Sequence, residues 1–311
     1  MKEFKLPPPY RLSDDVRQAL EMKTALLALE SAVITHGLPR PVNLQLAVEL
    51  ENISRNAGAV PATIALLHGH IHVGLSRPEL VELANADQVH KISRRNLGIA
   101  AACGWSGGTT VAATMIAAQA AGIPVFATGG IGGVHRGQTF DISADLDELS
   151  RTPIIVVCAG AKSILDLPAT LEVLETRGVP IIGFQTDDFP AFFSSASGLP
   201  VDVSARTLDE LADIALSHRA LGLTSALLVV VPPPPEKAIP PAEVETWIHR
   251  AVEEAEKTGI TGAAVTPFLL ERVNQLSAGR SMDVNLALLR NNASIGAALA
   301  ARLSIKDRKF F

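Results

Sequence analysis

Aromatic residues are scarce in this chain, 4% of 311 residues, and alanine, valine, isoleucine and leucine carry the apolar content. A core of that kind suits parallel strands covered by helices, whose buried strands read as continuous β-branched runs. Charge is also sparse: Asp, Glu, Lys and Arg make up 19% and the formal net charge is -5. A large core is therefore easily built, and there is no electrostatic case for nucleic acid or an anionic membrane as partner. Only two cysteines occur, Cys103 and Cys158, both in apolar contexts and with no ligand cluster around them. A reduced, cytoplasmic setting is the expectation. Long hydrophobic runs are missing too. The longest candidate, Ala220–Val231, stops at Pro232, short of a membrane span. Met1–Pro9 lacks the apolar core of a secretory signal.

What the chain does have is a repeated alternation of strand, turn and helix. Ser13 before Asp14-Asp15 marks a helix start. Residues 25–29 read as a buried strand that ends in Glu30-Ser31, and 41–58 as an amphipathic helix. A strand at 59–67 is followed by a hairpin return through His68, His70 and His72. Those alternating histidines read as one exposed face with no carboxylate beside them rather than a metal site. A helix over 76–87 leads to Lys91, Arg94 and Arg95, the most basic short patch and a candidate anion clamp. Gly107-Gly108-Thr109-Thr110 opens an apolar helix through residue 121. Free backbone N–H groups and two hydroxyls there suit a phosphate, and without a Walker lysine a phosphate monoester is expected. Further strands are expected at 123–127, 154–159, 180–187 and 225–231, with helices over 163–177, 207–221, 242–258 and from 266 and 281 onward. The loop 189–200, rich in Ser, Gly and Phe, reads as a lid or an oligomer contact. Proline-rich 232–241 resembles a linker, but the strand before it needs sheet neighbours. The whole predicts one domain over 1–311 with a layered α/β fold, parallel strands covered by helices.

The densest chemistry lies between Thr128 and Lys162. A glycine-rich turn, Thr128–Gly137, carries His135; Asp141, Ser143 and Asp145 follow at alternate positions; the apolar run 154–159 delivers Gly160-Ala161-Lys162. Strand ends are where open α/β sheets hold ligands. Glu30, directly after a buried strand, reads either as a salt-bridged or capping carboxylate or as a general acid. Lys162, at the end of a buried run and before an expected helix, is a candidate amine nucleophile, since desolvation and the helix dipole both favour the free base. Asp141, Ser143 and Asp145 read as one face of an extended segment or as a capped helix start. A carboxylate there is suited to a hard divalent ion, Mg²⁺ or Mn²⁺. Among Asn285, Asn291 and Asn292 on the last apolar helix, at least one is expected to face the site.

Several blocks in order along nearly the whole chain resemble the pseudouridine-5′-phosphate glycosidase (pseudouridylate synthase) family. They are Ala28–Ser31 with Thr35–Pro39, Lys91–Arg95, Gly108–Met115, Gly129–Gly137, Phe140–Leu146, Ala159–Asp166 and Thr266–Arg272. The resemblance implies an α/β/α sandwich assembled as a homotrimer, one Mn²⁺ per subunit, and reversible cleavage of pseudouridine 5′-phosphate to uracil and ribose 5-phosphate. It makes Glu30 the proton donor, Lys162 the nucleophile and Asp141 the metal ligand. Lys91, Val111, Ser143, Ala144 and Asp145 match substrate-binding positions, joined by His135 and Asn285 and by the hydroxyls of Thr109 and Thr110. The link from Gly137 to Phe140 is shorter than the family pattern, and residues 100–105 and 193–197 diverge from it.

The chemistry agrees with the resemblance. A C–C glycosidic bond has no leaving oxygen or nitrogen to protonate, so a scheme of two carboxylates does not serve. Ring opening with Glu30 as acid, and an imine to Lys162, would supply the electron sink at C1′. Two other readings use the same scaffold. A Schiff-base aldolase or lyase on another sugar phosphate would need no uracil pocket, and a non-catalytic sugar-phosphate-binding protein would need neither acid nor amine.

Overall fold

The structure, a computed structural model, describes residues 6–137, 141–260 and 265–307. Met1–Lys5 of the leader reading, and Gln138-Thr139-Phe140 of the short link, lie outside the described residues. In chain order the strands are β1 (Tyr10–Leu12), β2 (Leu26–Leu29), β3 (Val60–Leu67), β4 (His70–Val73), β5 (His90–Ile92), β6 (Gly107–Thr109), β7 (Val125–Ala127), β8 (Val134–His135), β9 (Ile155–Cys158), β10 (Leu165–Asp166), β11 (Ile181–Phe184), β12 (Val203–Ala205) and β13 (Leu227–Val230). The helices are α1 (Asp14–Glu21), α2 (Val42–Asn56), α3 (Arg77–Asn85), α4 (Arg94–Ala102), α5 (Val111–Ala120), α6 (Ala144–Leu149), α7 (Leu167–Thr176), α8 (Leu208–Ala220), α9 (Pro241–Lys257), α10 (Val265–Leu276) and α11 (Arg280–Asp307).

Eleven strands form one sheet in the order β1-β4-β3-β2-β7-β9-β13-β11-β12, with β6 joining β3 and β5 joining β6. From β3 to β12 every pairing along that path is parallel; β4 and β6 run antiparallel to β3. Helices cover both sides: α2, α8 and α11 pack together over β2, β7 and β9, and α5 packs on β2 and β3. The central strands are buried on both faces, as their unbroken aliphatic sequences require. Leu27, Phe126, Val156, Val157 and Leu228 are fully enclosed, each such side chain contributing about 1.5–3 kcal/mol by leaving water.

The order of the strands fixes where function can sit. From β2 the chain steps outward to β3 through α2, and it later returns to the opposite side of β2 with β7, followed by β9. Between β2 and β7 the direction of winding reverses. A crevice opens at such a switch point, outside the carboxyl ends of the strands. Glu30 follows β2, Thr128 follows β7 and Lys162 follows β9, so three neighbouring strands deliver the three groups.

Several expected boundaries move. Gly107–Thr109 is a strand, paired with β3 and β5, and the helix begins only at Val111. After Lys162 the chain first forms β10, which pairs with β8, and α7 starts at Leu167 with Asp166 as its cap. The helix expected from Ser163 is therefore delayed by a turn, and Lys162 does not sit at its first turn. The 189–200 loop is anchored through its phenylalanines, with Ala196, Gly198 and Pro200 exposed. Phe189, Phe192 and Phe193 are buried, and Phe193 O and the Ser194 hydroxyl bond to Ile239 of the proline-rich connector. The connector is thus zipped to the loop rather than free. No helix among the described residues is long and apolar enough to cross a membrane.

Candidate active site

Glu30 sits where a strand of four buried residues ends, and its carboxyl is enclosed by the crevice. Burial raises its pKa; the positive charge of Lys162 and the hydroxyl of Thr128 pull it back in part. Asp145 raises it again and Lys91 lowers it. Lys162, Asp145 and Lys91 are thus the charged groups that act on the Glu30 carboxyl. The Thr128 hydroxyl donates to Glu30 Oε1 in a short hydrogen bond. Its hydrogen-bond partner is a hydroxyl beyond the end of the next strand, and a raised pKa suits a general acid.

Lys162 is held by backbone bonds. Its N–H donates to Ile131 O (3.1 Å), Ile131 N–H to Gly160 O (3.0 Å) and Ala159 N–H to Gly129 O (2.9 Å). The glycine-rich turn and the lysine loop are thereby zipped side by side, and β8 with β10 continues the pairing. Close approach explains the glycines. A Cβ on Gly132 would lie 2.2 Å from Ser143 Oγ and 2.9 Å from Asp145 Oδ2, and one on Gly130 would lie 2.7 Å from the Phe192 ring. Arg136 clamps the same loops from outside, donating to Leu165 O and Ser163 O and pairing with Glu245.

Asp145 ties the walls together. Its Oδ1 accepts from Ala112 N (3.0 Å), in the first turn of α5, and Oδ2 from Gly132 N (2.9 Å). The helix-start reading of this segment is the one realised: α6 begins at Ala144 and the Ser143 hydroxyl caps it by accepting from Asp145 N. Next to Ala112, none of the described residues accepts from Val111 N, and the buried hydroxyl oxygen of Thr110 has no partner among them. Both remain suited to an anion at the α5 N-terminus. Thr109 is different: it is fully enclosed, its hydroxyl donates to Ile64 O (2.6 Å), and its N–H donates to Ser31 Oγ (3.0 Å). The structure turns Thr109 into the fold and away from the cleft, because it lies on β6 and not in a loop.

Of the basic patch, Lys91 is the member whose charge acts on Glu30, Asp145 and Lys162, although the residue as a whole keeps an exposed surface. Its pKa is lowered by burial in the crevice and next by Lys162. Arg94 is committed to Glu148, a buried carboxylate also held by Thr152. His36, unremarked in the sequence beyond its turn, approaches Lys91: burial and that charge lower its pKa, and its Nδ1 lies 2.6 Å from Thr35 Oγ1. His135 is nearly enclosed, 3.9 Å from Asp141 and 3.5 Å from Thr266 Oγ1. The Asp141 carboxylate is about half exposed and has no Lys or Arg partner among the described residues.

No group of three or more His, Cys, Asp or Glu among the described residues could cage a metal. A hydrated Mn²⁺ or Mg²⁺ held through one carboxylate needs no such cage, and Asp141 has the free oxygens for it. The triple histidine gains carboxylates in space that spacing did not reveal: His68 lies 3.0 Å from Glu82 and His72 3.0 Å from Glu79, both on α3, while His70 meets Arg11. These are separate pairs. Asn292, not Asn285, makes the visible contact from α11, donating to Thr128 O; Asn285 lies two turns upstream on the same face, half-buried. A cavity of about 530 Å³ opens at the opposite ends of the strands among Leu20, Leu26, Ile155, Leu216, Leu227 and Leu303, and no carboxylate lines it.

Comparison with known proteins covers nearly the whole chain. The family model described as "Indigoidine synthase A like protein" matches residues 15–302. A pseudouridine-5′-phosphate glycosidase from Solibacter usitatus is 54% identical over 295 residues, 94% of this chain and 99% of the relative. One from Paracoccus denitrificans is 53% identical, covering 96% of this chain and 100% of the relative. Among solved structures, the prealnumycin C-glycosynthase AlnA in complex with ribulose 5-phosphate superposes with a TM-score of 0.91 at 37% identity, covering 97% of this chain and 99% of that one. An indigoidine synthase A-like protein from Thermotoga maritima gives 0.87 at 35% identity, with 95% and 96% covered.

Proposed function

The chain belongs to the family of indigoidine synthase A-like proteins and pseudouridine-5′-phosphate glycosidases, and from that premise we propose that it reversibly cleaves pseudouridine 5′-phosphate to uracil and ribose 5-phosphate. The observation that carries the proposal is the pair Glu30 and Lys162: a carboxyl whose pKa burial raises, and an amine from the end of β9, one strand beyond β7, whose charge acts on it. The C-glycosynthase complex with ribulose 5-phosphate supports a pentose phosphate on this scaffold. An aldolase on another sugar phosphate or a simple binder draws no comparable support.

In this reading the phosphate lies against Lys91, Val111 N and the Thr110 hydroxyl, with Ser143, Ala144, Asp145, His135 and Asn285 lining the sugar and base. Glu30 gives its proton to the ring oxygen as the C1′–O4′ bond breaks. The amine of Lys162 bonds to C1′ and loses a proton to the Glu30 carboxylate. The nitrogen lone pair then forms C1′=N while the C1′–C5 bond breaks; its electrons stay with uracil, whose C5 takes up a proton from the cleft. Water hydrolyses the imine to ribose 5-phosphate and frees Lys162. Atoms balance with one water consumed.

Asp141 would hold the Mn²⁺ ion, one per subunit, and the ion would supply charge neutralisation and ordered water beside the substrate. Its support is a half-exposed carboxylate with no Lys or Arg partner among the described residues, and the resemblance. A homotrimer in the cytoplasm goes with the family, and the two free thiols agree with a reduced compartment. Uracil release from pseudouridine 5′-phosphate, followed by chromatography, tests the reaction; no release under any metal condition would overturn it. Chelation should abolish turnover, Mn²⁺ should restore it, and Asp141→Ala should resist that rescue. Full activity after metal stripping would remove the ion from the account.

A further inference from the structure

Asn292 lies in the middle of α11, fully enclosed, with Leu288, Leu289, Ala293 and Ala297 buried around it. A polar amide in such a setting needs a reason. Its Nδ2 donates to Thr128 O at 2.8 Å and approaches Gly129 O at 3.4 Å, while Oδ1, also buried, accepts from no described group. A leucine would fill similar space without leaving an acceptor unpaired. Thr128 is itself enclosed, its N–H bonded to Val157 O (3.0 Å) and its hydroxyl donating to Glu30 Oε1. The helix that carries the amide is pinned on both sides of it: Arg290 pairs with Glu49 of α2 at 2.9 Å and Arg302 with Asp209 of α8.

We propose that Asn292 is a positioning residue for the acid: through Thr128 it fixes the Glu30 carboxyl with Oε1 held by the Thr128 hydroxyl and Oε2 left to carry the proton into the cleft. The amide grips the peptide at the point where β7 turns into the glycine loop. That peptide sets the direction of the Thr128 side chain, and the hydroxyl, by donating, occupies Oε1 as acceptor. A protonated carboxyl then bears its hydrogen on the other oxygen. Lys162, Asp145 and Lys91 are the charged groups that reach Glu30 among the described residues, and none of them bonds to Asn292 or Thr128.

The proposal rests on the acid role of Glu30 given above, so its test has one arm that needs no turnover. Thr128→Val and Asn292→Leu should each lower kcat roughly 10- to 100-fold, the cost of a misplaced catalytic group, with KM nearly unchanged. Because the hydroxyl lowers the Glu30 pKa, both variants should move the alkaline limb of the kcat profile upward, Asn292→Leu less than Thr128→Val. Thr128→Ser should restore the wild-type profile. In the Thr128→Val background Asn292→Leu should add nothing. In the free enzyme, the ¹³C titration of the Glu30 carboxyl should move upward in the same order. If Asn292→Leu does not fold, Asn292→Ala is read in its place. A rate loss equal at every pH, an additive double variant, or an unmoved Glu30 titration would each overturn the relay. A wild type that releases no uracil defeats the assigned reaction, and the carboxyl titration still decides the relay.

Discussion

Replacing Asp145 by asparagine probes the joint that holds the cleft's walls together. In the native fold each carboxylate oxygen accepts one backbone N–H, from Ala112 and from Gly132, and the side chain is only 7% exposed. Asparagine keeps the shape but turns an NH₂ toward one of those donors. One hydrogen bond to a charged group is lost, costing about 1.5–3 kcal/mol. At about 2.1 cal/mol/K of unfolding entropy per residue, a chain of this length loses roughly 2–5 °C of Tm for that amount. A second effect is electrostatic. The negative charge of Asp145 raises the Glu30 pKa, so removing it lowers that pKa. Glu30 must be protonated to act as acid, and the alkaline limb of kcat should therefore move down in pH, opposite to the shift expected for Thr128→Val. Calorimetry or thermal melts read the first effect and a pH–rate profile the second. An unchanged Tm, or a limb that moves upward, would refute the reasoning.

Removing the charge of Lys91, as Lys91→Ala, should weaken pseudouridine 5′-phosphate by about 1.5–3 kcal/mol, the range for a hydrogen bond to a charged group. Unphosphorylated pseudouridine should change little, and equal losses for both would move Lys91 off the phosphate. Gly98→Ala and Gly132→Ala separate helix propensity from close approach. Gly98 on α4 is exposed with nothing within 4 Å of an added Cβ, so alanine should stabilise by roughly 0.5–1 kcal/mol. At Gly132 the new methyl collides with Ser143 and Asp145, and both stability and kcat should fall. A neutral Gly132→Ala would mean the loop is not packed as described.

Much of this was legible because buried parallel strands announce themselves. Leu26–Leu29 and Ile155–Cys158 are unbroken apolar runs, and the first polar side chains beyond them, Glu30 and Lys162, are the proposed acid and amine. The capped start of α6 was equally readable from Ser143 and the acids after it. Strand order was not: it is set by pairings between distant segments, so the switch between β2 and β7, and with it the meeting of Thr128 and Glu30, has no local signal. Gly107–Thr109 read as an open phosphate loop because glycines weaken strand propensity; here they admit β6 between Ser31 and the β5 backbone, where any Cβ would collide. Lys162 likewise lost its expected helix to the short β8–β10 pairing, a contact across 29 residues. The asparagines on α11 marked a polar contact within an apolar helix, and only packing shows that Asn292 makes it with the Thr128 backbone.

The account turns on a covalent bond between Lys162 and C1′ of the opened sugar. Borohydride added to the enzyme during turnover, or with ribose 5-phosphate alone, should reduce the imine and leave a pentose-phosphate adduct on the peptide that contains Lys162, found by mass spectrometry. Lys162→Ala should lose both adduct and turnover, and Lys162→Arg should keep the positive charge yet be inactive. A Lys162 peptide left unmodified after efficient trapping, or appreciable uracil release by Lys162→Arg, would contradict the mechanism.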